Sequence, residues 1–117
     1  MEAKDLRVDN WVSSAFGFVK VSEIRLMECT VRTEDFTVNT CVWTSKLQPI
    51  PLTEEILLKC KWQLVKGIYF YINSYFCIDN SGRLYYHGDY TGINIHTVHQ
   101  LQNLYFALTG KELEINL

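Results

Sequence analysis

Only two prolines and six glycines interrupt the 117 residues, too few for a collagen-like, linker-rich or low-complexity chain. Charge of one sign does not accumulate either. Residues 1–50 hold seven acids and six bases, residues 51–117 hold six and five, and the chain sums to −2. Binding duplex nucleic acid rests on a basic patch, so this balance argues against it. No apolar run approaches the ~20 residues of a helical membrane span, and no membrane partner is expected. The opening MEAKDLRVDN lacks the basic and apolar regions of a signal peptide, which points to the cytoplasm. The four cysteines, Cys29, Cys41, Cys60 and Cys77, contain no C-x-x-C pair, so zinc-ribbon and redox spacings are excluded. They read as small apolar side chains in a reducing compartment. Phosphate-loop, dinucleotide and nucleophile-elbow motifs are missing, and no cofactor or metal is implied.

What the chain does have is apolar and aromatic residues, 48% and 14% of the total, enough for an independently folding core at this length. The expectation is one α+β domain over 1–117. It divides into a β-rich subdomain, 1–48, and a helix, antiparallel sheet and helix over 49–117. Residues 6–47 read as short strands forming a small sheet curled toward an SH3-like barrel. In DFTVNTCVW the period of two puts Phe36, Val38 and Val42 on one face and Thr37, Asn39 and Cys41 on the other. Pro49 and Pro51 then enforce an extended connector. Thr53 suits an N-cap, Glu54 and Glu55 complement the helix dipole, and Leu52 with Leu57 forms a hydrophobic staple, so a short helix is expected near 54–61.

Residues 63–95 return to strands. NSG between YFCID and RLYYH is a hairpin loop in which Gly82 can take positive φ. Alternation places Phe70, Ile72, Phe76, Ile78, Leu84 and Tyr86 on a core face. The opposite face receives Tyr69, Tyr71, Tyr75, Cys77, Arg83, Tyr85 and His87. Tyrosine joins an apolar body to a polar tip and suits a surface buried part of the time. Tyr69, Tyr71, Tyr75, Arg83 and Tyr85 are therefore the candidate interaction face, unless the N-terminal half of the chain covers it.

The last helix is the best punctuated element. Thr97 and Gln100 make a T-x-x-Q capping box, Val98, Leu101, Leu104, Tyr105 and Leu108 form an apolar stripe, and Gly110 suits the left-handed stop. The stripe is expected on the Phe70/Phe76 face. His96 and His99 flank the helix start, but H-x-x-H lacks the glutamate and spacing of H-E-x-x-H, so a structural reading is favoured. No catalytic residue is assigned.

Three segments, DLRVDNWV, PIPLTEEILLKCKW and VHQLQNLYFALTGKEL, together resemble a group of small uncharacterised proteins. These are encoded in genomes of Bacteroides and its relatives, often in prophages and other mobile elements. In that group the first segment commonly reads L-R-I-G-N-W-V, so Asp9 stands at a frequent glycine; Asp takes positive φ more readily than most residues. The resemblance implies an origin and no activity, cofactor or site residue. Three functions follow as expectations. A non-enzymatic protein-binding or adaptor protein, joined to a partner or to itself through the tyrosine face, ranks first. A small enzyme or metal protein using His87, His96 and His99, with Cys77, is the alternative. Single-stranded nucleic acid stacked on the tyrosines ranks last, because Arg83 is the one clear base on that face.

Overall fold

A computed structural model of the chain describes residues 1–60, 63–65, 69–71, 75–115 and 117. The side chains of 63–65, 69 and 70 lie outside that description, as does the whole of Ile72. The chain forms two compact units, residues 1–50 with 97–103, and residues 51–96 with 104–117. The sequence alone puts the division at 48/49 and leaves the closing helix whole.

The first unit is an antiparallel meander: β1 (Trp11–Ser14), β2 (Gly17–Ile24), β3 (Glu28–Arg32) and β4 (Asn39–Trp43), in that spatial order. Alternation builds its core. Val12 pairs with Val19 and Val21 with Val31, and all four are fully buried together with Cys29 and Leu47. A bulge between Val21 and Glu23 adds one residue to β2, after which Ile24 pairs with Cys29 and still packs on the core. Strict alternation would have turned Ile24 to solvent.

Two expectations are corrected here. The sheet is not a closed barrel. Past a 3-10 turn at Thr44–Lys46 the chain meets the free edge of β1 in a single bridge, Ser13 with Gln48, held by two hydrogen bonds of 2.8 and 2.9 Å. Pro49 follows at once and has no N–H to extend a ladder. Phe36 does not share a strand face with Val38 and Val42. It occupies the β3–β4 turn with φ 60 and faces solvent.

Polar residues join the start of β1 to the chain's last helix, α2 (Val98–Thr109). Asp9 takes φ 72, so the left-handed position tolerated by glycine is kept here by an aspartate. Its N–H donates to the Val21 carbonyl at 2.7 Å, and its own carbonyl accepts from Gln102 Nε2 at 3.0 Å. Gln102, only 2% exposed, also accepts the Trp11 N–H at 2.8 Å. Asn103 Oδ1 accepts from Asn10 Nδ2 at 2.9 Å and from Arg7 Nε at 3.0 Å. The sequence directs the helix stripe to the Phe70/Phe76 face; the structure seats the helix's first half, with Val98 and Leu101 fully buried, in the first unit. The predicted capping box is present in both directions, Thr97 N–H to Gln100 Oε1 at 3.3 Å and Gln100 N–H to Thr97 Oγ1 at 3.4 Å. Gly110 ends the helix at φ 71, its N–H bonded to the Phe106 carbonyl.

The second unit begins with α1 (Glu54–Lys59), capped by Thr53, whose Oγ1 accepts the Ile56 N–H at 3.2 Å. A five-stranded antiparallel meander follows: β5 (Gln63–Val65), β6 (Tyr69–Tyr71), β7 (Phe76–Ile78), β8 (Arg83–Tyr86) and β9 (Asp89–Asn94). The described core of this unit includes Leu57, Ile78, Leu84 and Ile95.

Replacing Gln102 with Ala removes the side chain that accepts the buried Trp11 N–H and donates to the Asp9 carbonyl. The expected loss is about 1–3 kcal/mol, read by urea denaturation. Gln100→Ala, on the exposed side of the same helix, should cost no more than about 1 kcal/mol.

Candidate functional site

The candidate face is built by strand register. Phe70 pairs with Ile78 and Ile78 with Leu84, whereas Tyr71 pairs with Cys77, Cys77 with Tyr85 and Tyr85 with Tyr90. Paired residues share a face, so the two sets run on opposite sides of the sheet. Ile78 and Leu84 are buried, as a core face requires. The other side is a row crossing the sheet, Tyr71, Cys77, Tyr85 and Tyr90. Tyr90, supplied by β9, is the member that sequence reasoning missed; its alternation is broken by a register shift on that strand. Tyr71, Tyr75 and Tyr90 are 39%, 54% and 49% exposed. Tyr69 pairs with Val65 through its backbone, and its side chain lies outside the described atoms.

The row is fixed from beneath by Asp79. This buried carboxylate accepts the Ser81 N–H at 2.8 Å, the Arg83 N–H at 3.0 Å and the Tyr85 hydroxyl at 3.0 Å. It thus closes the β7–β8 hairpin and holds Tyr85 with the same charge. The turn also needs Gly82, at φ 85, where a Cβ would collide with the Ile95 carbonyl oxygen. Tyr85 and Tyr90 rings lie 5.9 Å apart, the Tyr90 hydroxyl donates to Asn94 Oδ1 at 2.9 Å, and the Arg83 guanidinium stands 5.9 Å from the Tyr90 ring. At the β7 start and β8 end a second aromatic group gathers. The His87 ring lies tilted 4.8 Å from Tyr75 and edge-on 4.3 Å from Tyr86, and Phe76 lies 4.9 Å from Tyr86. Tyr86, assigned by alternation to the core face, is exposed because it stands at this end of the strand.

The remaining chemistry-bearing residues do not form a centre. His87 sits on the β8–β9 turn with φ 51, His96 follows β9, and His99 is buried in the first unit, its Nδ1 3.2 Å from Thr97 Oγ1. Among the described residues, no three His, Cys, Asp or Glu side chains gather as a metal site. Burial pushes the Cys77 thiol up, the Asp79 charge adds to it, and burial takes Cys60 to about 12. Both are protonated at neutral pH and are poor nucleophiles. A small cavity of about 120 Å³ lies beside the same hairpin, between Leu57, Asp79, Ser81 and His96.

Asp79→Ala should cost about 2–3 kcal/mol, since it strands two main-chain donors and a tyrosine hydroxyl. Resonance shifts should concentrate at Ser81, Arg83 and Tyr85. His99 supplies a pH dependence. Burial lowers its pKa, and the nearby Asp5 carboxylate only partly opposes this. The unfolded chain therefore takes the proton more readily. The stabilisation is complete above about pH 6.5 and is lost as pH falls from there through the folded value. Melting temperature should drop as pH is taken below about 6.5, and His99→Gln should flatten that drop. Comparison with known proteins assigns no role: no family model, curated protein or solved structure matches the chain.

Proposed function

We propose that this chain is a non-enzymatic binding protein that presents the tyrosine-rich side of its five-stranded sheet to another protein. The supporting observation is the row Tyr71, Tyr85 and Tyr90 with Tyr75 at its end: large amphipathic side chains on a rigid strand frame, several of them substantially exposed. Such residues lose little conformational entropy on docking and supply apolar area together with hydrogen-bonding tips. The three segments that resemble Bacteroides-type mobile-element proteins support a phage or mobile-element origin, with a cytoplasmic host or phage protein as partner. Residues 75–94 hold Asp79 and Asp89 against Arg83, which favours a protein over a nucleic-acid strand.

The test is affinity capture from lysate of a host cell, comparing the natural chain with Tyr71→Glu. Tyr71 is exposed, so the variant should keep its circular dichroism spectrum and lose the captured partner. Equal capture by both chains would overturn the reading.

A further inference from the structure

We propose that the outer edge of β4, unpaired among the described residues, pairs with the same edge of a second copy of the chain, antiparallel, about a twofold axis through Cys41. Edge strands are normally blunted, because unpaired N–H and C=O groups invite another strand. The outer edge of β1 is occupied by Gln48, and β9 is interrupted by a register shift with Gly92 at φ 82. β4 carries no such protection. It pairs with β3 through five consecutive residues without a bulge, and Asn39–Trp43 contains no proline and no charge. The Thr33 N–H donates to the Val38 carbonyl and the Thr44 N–H to the Met27 carbonyl. Residues 38, 40, 42 and 44 therefore turn their main-chain groups toward β3, and Asn39, Cys41 and Trp43 turn theirs away.

A second copy fits this edge better than an arbitrary strand because the edge is self-complementary. With Cys41 opposite Cys41, Asn39 of each copy meets Trp43 of the other, and the three pairs exchange about six main-chain hydrogen bonds. Charge agrees. Glu28 pairs with Trp43 and Arg32 with Asn39, so each outer row of the joined sheet ends in an acid from one copy and a base from the other. The middle row, Thr30 and Cys41 twice over, is neutral.

Shape adds a second contact. Phe36 is 61% exposed and held at φ 60, where a bulky residue is strained. The turn is kept there by the Asp35 carboxylate, which accepts from Thr33 Oγ1 at 2.7 Å and from the Thr37 N–H at 3.1 Å. Beyond the C-terminal end of β4 lies an apolar groove of about 440 Å³ lined by Met1, Leu26, Met27 and Trp43, the last three exposed. Antiparallel pairing about Cys41 carries the 36–38 turn of one copy alongside residues 44–46 of the other, at the wall of this groove. Phe36 of each copy is its occupant.

The test is light scattering on the size-fractionated full chain at two concentrations well apart. The mass should approach twice 13.7 kDa when concentrated and fall toward 13.7 kDa on dilution. Cys41→Pro removes an N–H that β3 does not use, a substitution edge strands tolerate, and should remain at the single-chain mass with its fold intact. Phe36→Gly relieves the left-handed strain while giving up the contact of its ring with the Arg32 guanidinium, 4.8 Å away, so it should keep its fold while weakening the dimer at least about tenfold. Tyr71→Glu should leave the mass unchanged, which separates this interface from the tyrosine face. A single-chain mass at high concentration overturns the proposal, as does a folded Cys41→Pro chain that still dimerises. Should Cys41→Pro fail to fold, undiminished dimerisation of Phe36→Gly overturns it instead.

Discussion

The side-chain amide of Gln102 is the interaction on which most of the first unit depends. Buried and fully engaged, it accepts the Trp11 N–H and donates to the Asp9 carbonyl, across more than ninety residues of chain. The Trp11 N–H is buried, so its bond is modest when made and costly when missing. Asp9 must be left-handed to turn its carbonyl that way, and Asn10, Arg7 and Asn103 complete the network around it. A buried polar network of this kind is strong when every member is satisfied and disruptive when one is lost. The segments DLRVDNWV and VHQLQNLYFALTGKEL contribute its members.

That closure shapes the order of the chain. Residues 97–103 belong to the first unit although they follow the whole second sheet, so residues 51–96 are threaded between two stretches of one compact body. The extended connector meets the same helix start, with the Val98 N–H donating to the Ile50 carbonyl. Helix α2 is then required by structure, and His99 with it. Its imidazole is buried neutral at the helix start, where a positive charge would meet both desolvation and the helix dipole. The place of His99 follows from this packing.

Surfaces carry what the core does not need. On the five-stranded sheet, Asp79 organises a hairpin and a tyrosine with one charge, and Tyr71, Tyr75 and Tyr90 around it stay substantially exposed. On the four-stranded sheet, β4 lacks the bulge, proline or charge that would discourage pairing. The two features differ in kind. One presents side chains, and the other presents main-chain groups of an edge strand.

Local chemistry was legible in the sequence wherever a residue acts on its near neighbours. The Thr53 cap, the Thr97–Gln100 box, the Gly110 stop, the Gly82 turn and the alternation that separates Ile78 and Leu84 from Tyr71 and Tyr85 all follow from spacings of a few residues. Tertiary structure alone decided the rest. The bulge at Ser22 keeps Ile24 inside by breaking the period that would have predicted its face. Phe36 looks like a strand residue by type and becomes a strained turn because Asp35, Thr33 and Thr37 bond to one another. Gln102 is polar, and periodicity assigns polar residues to solvent; its burial depends on main-chain donors and acceptors brought near by the fold. A sequence period reports which residues share a face, but the partner that covers the face is chosen by contacts between segments far apart in the chain.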